Sequence, residues 1–286
     1  MIKNLLITGS TGYLGSSFIT KYKNKFKFEN FSLLTQKLED INFDNTDTVL
    51  HCAALVHQKI EHTYIKYSEI NVLYPLKLAK LAKEKGVKQF IFISTIAVYG
   101  DELELLDENT KCNPITSYGK SKLEAEKILL GLNDKDFKVC IIRPPMIYGK
   151  DAPGNINSLV NLVNKVAILA LGDIENKRSF IYISNLCHMI NEIIKQEQSG
   201  IFLASDDEPL STTKLIELIA KNLDKKVYLL KIPFFESLLK FLKPSFYKRL
   251  YGSLEIDNTI TKEKLNLVNP YSVEEGIKLM IRGAEF

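Results

Sequence analysis

Residues 4–15 read Asn-Leu-Leu-Ile-Thr-Gly-Ser-Thr-Gly-Tyr-Leu-Gly. The first five form a short apolar run suited to a buried strand, and the rest place Gly9, Gly12 and Gly15 ahead of a helical segment, Ser16–Lys23. A strand that turns sharply into a helix needs residues without Cβ where its backbone approaches an anion, and the helix N-terminus then offers free N–H groups. The stretch therefore predicts a strand–turn–helix unit shaped for a pyrophosphate. Its spacing is not the G-x-G-x-x-G of the usual dinucleotide fingerprint, so on its own it also fits simple tight packing.

Outward from this unit, the pattern repeats. Asp47–Cys52, Lys88–Ser94 and Lys138–Arg143 are further buried-strand candidates, while Tyr64–Lys85 and Ser117–Leu132 carry apolar residues every three or four positions. Strands alternating with helices imply an α/β chain with a Rossmann-type, doubly wound parallel sheet. After Gly149 the texture changes to helical stretches near 155–166, 185–196 and 211–223 with short strand-like pieces such as Ile201–Ala204. The expected organisation is a dinucleotide-binding domain over 1–150 and a smaller mixed α/β substrate domain over 151–286, some of whose segments return to the main sheet.

Composition sets the outer limits. The 286 residues are 45% hydrophobic and 25% charged, ordinary for a globular chain, and the net charge of +4 is too balanced for a nucleic-acid-binding protein. Cys52, Cys112, Cys140 and Cys187 are far apart and form no metal-site spacing with the four histidines, so a reduced, cytoplasmic chain without a bound metal is expected. The N-terminus does not read as a signal peptide, and no apolar run approaches the ~18 residues of a membrane span. His51 follows a buried strand and reads as a core histidine; His57 is a weaker candidate for touching substrate.

Tyr118-Gly-Lys-Ser-Lys122 adds chemistry. It sets a phenol and an ammonium at i and i+4 on one helical face. A nearby ammonium favours the phenolate, which predicts a tyrosine tuned for proton exchange with a sugar hydroxyl or ketone. Together with the glycine turn, Val49-Leu-His-Cys-Ala-Ala54, Asn71-Val72, Ser94-Thr-Ile-Ala-Val-Tyr-Gly100, Arg143-Pro-Pro-Met-Ile-Tyr-Gly149 and Arg178-Ser-Phe-Ile-Tyr182, it makes nearly the whole chain resemble the extended short-chain dehydrogenase/reductases. These are the NAD-dependent epimerases and dehydratases of nucleotide sugars. The resemblance implies Thr95, Tyr118 and Lys122 as catalytic residues, Tyr118 being the acid/base. It implies cofactor contacts from Gly9, Gly12, Tyr13, Leu14, Gly15, Asp40, Ile41, Ala53, Ala54, Asn71, Tyr118, Lys122, Pro144 and Pro145. For the substrate, a nucleotide-diphosphate sugar, it implies Thr95, Tyr118, Met146, Asn155 and Arg178; a helix-capping Asn155 and a surface Arg178 are the plainer alternatives. A homodimer paired through the 64–85 and 117–132 helices is expected on the same ground.

The departures narrow the activity. Family 4,6-dehydratases carry Asp-Glu directly after the catalytic threonine, because removing water needs a second acid and base; here stand Ile96 and Ala97. Val56 occupies the place of a lysine usual in UDP-galactose epimerases. Between Phe28 and Thr48 the chain is some 15 residues shorter than is usual in the family. The acidic residue that would grip the adenosine ribose about 20 positions after the glycine turn is missing; the region reads Leu34-Thr-Gln-Lys37, and Lys37 would suit a 2′-phosphate, which leaves NAD and NADP both open. A narrower similarity, carried by Ala-Ala-Leu-Val-His57, Pro153-Gly-Asn155, Leu171-Gly-Asp-Ile-Glu-Asn-Lys-Arg178-Ser and Tyr251-Gly-Ser-Leu254, is to enzymes that reduce UDP-4-keto-6-deoxy-N-acetylhexosamines at C4 for surface polysaccharides. Three functions follow as expectations: that 4-reductase, a UDP-hexose or UDP-N-acetylhexosamine 4-epimerase with retained NAD, and a non-enzymatic dinucleotide sensor.

The charge is unevenly spread. Residues 225–249 hold seven basic side chains against one acidic, Glu236, interleaved with Pro-Phe-Phe, Leu-Leu and Phe-Leu. Two expectations fit this segment: peripheral contact with an anionic membrane, or a solvated lid whose positive field favours a substrate diphosphate.

Overall fold

A computed structural model describes residues 2–32, 35–56, 62–101 and 103–283. Its strands, in chain order, are β1 (Asn4–Thr8), β2 (Lys27–Phe31), β3 (Thr48–His51), β4 (Gln89–Ile93), β5 (Leu105–Leu106), β6 (Lys138–Arg143), β7 (Met146–Tyr148), β8 (Ile168–Leu169), β9 (Phe180–Tyr182), β10 (Gly200–Leu203), β11 (Tyr228–Leu229) and β12 (Glu255–Ile256). Six form the main sheet in the order β10-β6-β4-β3-β1-β2, every pair parallel. The chain runs from β1 outward to β2 and then crosses back to β3, so the strand order reverses between β1 and β3. In open α/β sheets that reversal opens a crevice at the carboxyl ends of the strands, where ligands bind.

Both faces of the sheet are buried, which is why its strands read as continuous apolar runs rather than alternating ones. Leu5, Ile7, Leu50, Ile91 and Ile142 face one side, packed with α1 (Tyr13–Tyr22) and, later in the chain, the helix Ile183–Gln196. Leu6, Val49, Phe90, Phe92 and Ile141 face the other. There they meet α3 (Tyr74–Glu84), preceded by α2 (Tyr64–Ser68) and a π-helical segment Glu69–Leu73, and α4 (Ser117–Leu130). β2 has no comparable apolar run: Lys27, Glu29 and Asn30 are exposed on a sheet edge, and only Phe31 is buried. Burial could not reveal it. The link from β2 to β3 contains among its described residues only a 3₁₀ turn, Leu38–Asp40, as its shortness requires.

The C-terminal half contributes β10 to the main sheet, beside Cys140–Arg143, and builds two-stranded pairs β7–β9, β8–β11 and β5–β12. Its helices are α5 (Asn155–Lys165), α6 (Ile183–Gln196), α7 (Thr212–Asn222), α8 (Phe235–Leu242), α9 (Pro244–Tyr251), α10 (Thr259–Leu265) and α11 (Val273–Arg282). Among the described residues no helix is long and apolar enough to cross a membrane.

Candidate active site

The site grows from the carboxyl ends of β1, β3, β4 and β6. Gly9 leaves β1 with φ +70°, and a Cβ there would stand 2.7 Å from the Ala53 nitrogen at the end of β3. Gly15 lies under the same turn, where a Cβ would meet the Gly9 carbonyl at 2.3 Å. Neither position admits a side chain without moving backbone. Gly12 is different: the nearest atom to an added Cβ is the Gly9 oxygen at 3.2 Å, so its bareness serves the open side of the turn more than the packing. Gly12 caps α1 without a side-chain hydrogen bond, and the first turn of α1 holds no acidic residue. A helix N-terminus left this way favours an anion. The turn, the uncapped helix and its place at the strand-order reversal fit the pyrophosphate of a dinucleotide. The helix begins at Tyr13, three residues before the Ser16 start expected from sequence, and so takes in Tyr13 and the buried Leu14; Ala53 is tied to β1 by its N–H donating to Thr8 Oγ1 at 3.3 Å.

At the adenosine end the described residues offer no buried grip. Asp40 and Lys37 are exposed and Ile41 is half-buried; the Lys37 N–H donates to Asp40 Oδ2 at 3.3 Å.

Thr95 leaves β4 in extended backbone and caps the 3₁₀ turn Ile96–Tyr99, its hydroxyl accepting from the Ala97 N–H at 3.2 Å. Pro144, buried at the end of β6 with Pro145, accepts from the Ile96 N–H at 3.1 Å and so joins the two strand ends. α4 docks on this turn through Gly119, where a Cβ would meet the Ala97 carbonyl at 2.6 Å. Tyr118, next to Gly119 in this helix, has its ring 6.3 Å from that of Tyr67. Four residues on, Lys122 is 1% exposed, with its ammonium 3.7 Å from the centre of the Phe92 ring. Asn71, set in the π-helical segment, accepts from the Leu55 N–H at 2.8 Å and donates to the Leu55 carbonyl and to Ser121 Oγ. One amide thus fastens the chain after Ala54 to α4. Segments of π-helix are frequent at functional sites, and here the irregular turn positions this side chain.

The electrostatics correct one expectation. A phenol acidified by Lys122 was anticipated, but desolvation pushes Tyr118 up to about 12, with Tyr67 adding in the same direction. The lysine is itself weakened: burial lowers it to about 7, against smaller raising effects of Glu126 and Cys52. In the low-dielectric pocket both groups prefer their neutral forms. Tyr118 therefore carries its proton at neutral pH.

Sequence reasoning passed over the support beneath these residues. Glu126, one further turn along α4, forms a buried ion pair with Arg143, Nη2 to Oε2 2.6 Å. It also accepts from the Ser94 hydroxyl, and Arg143 Nη1 donates to the Tyr99 hydroxyl at 2.7 Å. The network ties β4, β6, α4 and the Thr95 turn together. Although burial opposes its charge, Arg143 is held above its ordinary pKa by Glu126. The continuation Tyr118–Lys122–Glu126, every four residues, was the available signal.

Three of the five substrate residues named from sequence line one cavity of 220 Å³, whose lining does not include Thr95 or Tyr118. Met146, Asn155 and Arg178 share it with Phe246, Arg249 and Leu250 of α9 and with apolar side chains of α5 and α7. Asn155 is the first residue of α5 and the cap is Gly154, so it is not the helix-capping residue. Arg178 is half-buried, its Nη1 donating to the Gly252 carbonyl at 3.1 Å. The remaining fork and Arg249 supply positive charge to an otherwise apolar wall, an arrangement suited to a diphosphate beside a flat or hydrophobic group.

His51 is fully buried against Phe92, with rings 5.8 Å apart and nearly parallel, and its Nδ1 lies 2.9 Å from Thr8 Oγ1. Burial lowers it to about 3, so it is a neutral core residue. His57 and Leu34 lie outside the described residues. Among the described residues no group of His, Cys, Asp and Glu could hold a metal ion.

The model of the NAD dependent epimerase/dehydratase family matches residues 5–203. A UDP-glucose 4-epimerase of Vibrio cholerae is 36% identical, over 97% of this chain and 94% of its own length. A dTDP-4-dehydro-6-deoxyglucose reductase of Escherichia coli is 29% identical, over 78% and 82%. Among solved structures, RMD from Pseudomonas aeruginosa complexed with NADPH superposes with a TM-score of 0.79 at 16% identity, covering 99% of this chain and 97% of that one.

Proposed function

Since the chain belongs to the NAD-dependent epimerase/dehydratase family, whose enzymes act on nucleotide sugars, we propose that it reduces C4 of a UDP-4-keto-6-deoxy-N-acetylhexosamine. The observation that carries this reading is Tyr118, kept protonated by desolvation four residues before the buried Lys122, on a helix that docks through Gly119 against the turn capped by Thr95, in a site with no second acid–base pair. Ile96 and Ala97 stand where dehydration would need one. When bound, the nicotinamide cofactor supplies or accepts the hydride. The chain's own residues do the rest. Thr95 hydrogen-bonds the C4 oxygen, Tyr118 protonates the developing alkoxide, and Lys122 holds the cofactor ribose next to Tyr118. Arg178 and Asn155 orient the diphosphate, with the uridine against the apolar wall of the cavity. The absence of a ribose-gripping acid after β2 favours a cofactor exchanged at each turnover and leaves Lys37 to favour NADPH.

A second reading, UDP-hexose or UDP-N-acetylhexosamine 4-epimerisation with retained NAD, is favoured by the Vibrio cholerae relative's name. Cofactor consumption separates the two. Purified protein given UDP-4-keto-6-deoxy-N-acetylglucosamine should oxidise one NADPH per sugar reduced. Equilibration of UDP-N-acetylglucosamine with its 4-epimer, with keto-sugar and NADPH both unchanged, would overturn the reductase reading. A cytoplasmic place in surface-polysaccharide precursor synthesis and a homodimer belong to the same proposal; Ile65 and Ile128, exposed on α2 and α4, suit such a pairing.

A further inference from the structure

The α8–α9 hairpin has an apolar face that the protein does not cover. Neither helix has a buried residue. On α8, Phe235 and Leu239 turn towards the body, while Leu238 and Phe241 project around the helix from them, 54% and 84% exposed, and Leu242 is 62% exposed. Phe234, in a left-handed conformation at the start of α8, is 86% exposed, and Ile232 before it is 47% exposed. Isolated exposed apolar side chains are ordinary, but a contiguous set on one short element marks a surface that meets something.

The charges around this face identify the partner. The surrounding window, 225–249, carries seven basic residues and one acidic, and so by itself exceeds the +4 of the whole chain. Lys231 and Lys248 pair with Asp173 and Asp101. Among the described residues Lys240 and Lys243 have no carboxylate partner; Lys240 lies 5.6 Å from the centre of the Tyr247 ring. A hairpin with phenylalanines and leucines on one side and unpaired lysines at its flanks matches an anionic bilayer: apolar groups enter the interface while the lysines meet lipid phosphates. A second copy of the chain would bring the same positive charge against itself. A lid serving only the bound substrate would turn its phenylalanines inward to the cavity, whereas Phe234 and Phe241 face solvent.

We propose that the α8–α9 hairpin docks the protein on an anionic phospholipid membrane. α9 is also a wall of the substrate cavity, through Phe246, Arg249 and Leu250. Docking would therefore set that cavity next to the bilayer. The inference rests on the hairpin alone and stands whichever sugar is reduced.

The test is co-sedimentation of the full chain with phosphatidylcholine vesicles made with and without phosphatidylglycerol, at low and high salt. Binding is expected only with phosphatidylglycerol and should weaken as salt rises. Lys240→Glu/Lys243→Glu should weaken it by roughly 25-fold or more, taking roughly fivefold per lysine charge lost near the surface. Phe234→Ser/Phe241→Ser should weaken it while leaving circular dichroism and turnover of a soluble sugar nucleotide intact. Failure of the native protein to sediment with anionic vesicles at low salt would overturn the proposal, as would binding unchanged in both variants. A dimer by light scattering that Phe234→Ser/Phe241→Ser dissociates would assign the face to a second copy instead. A raised KM for the sugar nucleotide in the lysine variant, without vesicle binding by the native protein, would assign it to a lid.

Discussion

At the scale of single residues, the site works by burying ionisable groups. Tyr118 at about 12 and Lys122 at about 7 are both displaced towards neutrality, by the same lack of water. Replacing Tyr118 with Phe should cut turnover by roughly 10²–10⁴-fold, the usual contribution of a positioned acid, while cofactor affinity changes little; comparable turnover in the variant would remove Tyr118 from the mechanism. Lys122 makes a different prediction. Its folded pKa lies below its unfolded value near 10.5, so the unfolded chain binds more protons between about 7 and 10.5 and stability rises with pH across that window. Below pH 7 the whole cost of the buried charge is present. Lys122→Met should therefore raise the melting temperature of cofactor-free protein most at pH 6 and progressively less towards pH 10, read by differential scanning fluorimetry. A gain independent of pH would show that the lysine is not desolvated as described. Tyr118 and Lys122 were legible in the sequence as a pair, but the direction of the phenol's shift was not. Spacing reports that an ammonium is near; only the packed surroundings report how much water both groups lose.

At the scale of elements, the glycine turn and α4 carry the site. Gly12 and Gly15 look alike in sequence and differ in the fold. Gly15→Ala drives a methyl to 2.3 Å from the Gly9 carbonyl and should destabilise the protein by about 1–3 kcal/mol. Gly12→Ala meets protein at only 3.2 Å and should fold nearly as well, while its NADPH affinity falls at least tenfold by fluorescence titration. Equal losses of stability in both variants would contradict this division of roles. Under α4, Glu126→Ala leaves Arg143 buried without its partner and should cost about 3–5 kcal/mol in urea unfolding, more than an exposed ion pair can account for. Buried strands β1, β3, β4 and β6 and the course of α4 were readable because continuous apolar runs and helical periodicity follow directly from burial. β2 was missed since an edge strand of Lys, Glu and Asn buries almost nothing. The π-helical segment was read simply as helix, as a single inserted residue leaves the apolar period nearly intact.

At the scale of the molecule, the reversal of strand order between β1 and β3 gathers the glycine turn, Ala53, Thr95 and Pro144 at one end of one sheet. The C-terminal elements then set Asn155, Arg178 and Arg249 around a neighbouring cavity. That Met146, Asn155 and Arg178 share this cavity could be anticipated only from resemblance, since 32 residues separate Met146 from Arg178 and no local pattern links them. That the basic segment 225–249 lends positive charge to a substrate site was one of the two expectations from its charge, and Arg249 does line the cavity; which of its side chains do so depends on how α9 packs beside α5 and α7. The reaction proposed is C4 reduction, at a site where Ile96 and Ala97 stand in place of a second acid–base pair. NMR analysis of products from UDP-4-keto-6-deoxy-N-acetylglucosamine, incubated in turn with NADH and NADPH, tests it most directly. The account predicts a single C4-hydroxyl 6-deoxy product formed in step with cofactor oxidation, whereas an unchanged keto-sugar together with cofactor-independent interconversion of 4-epimers would contradict it.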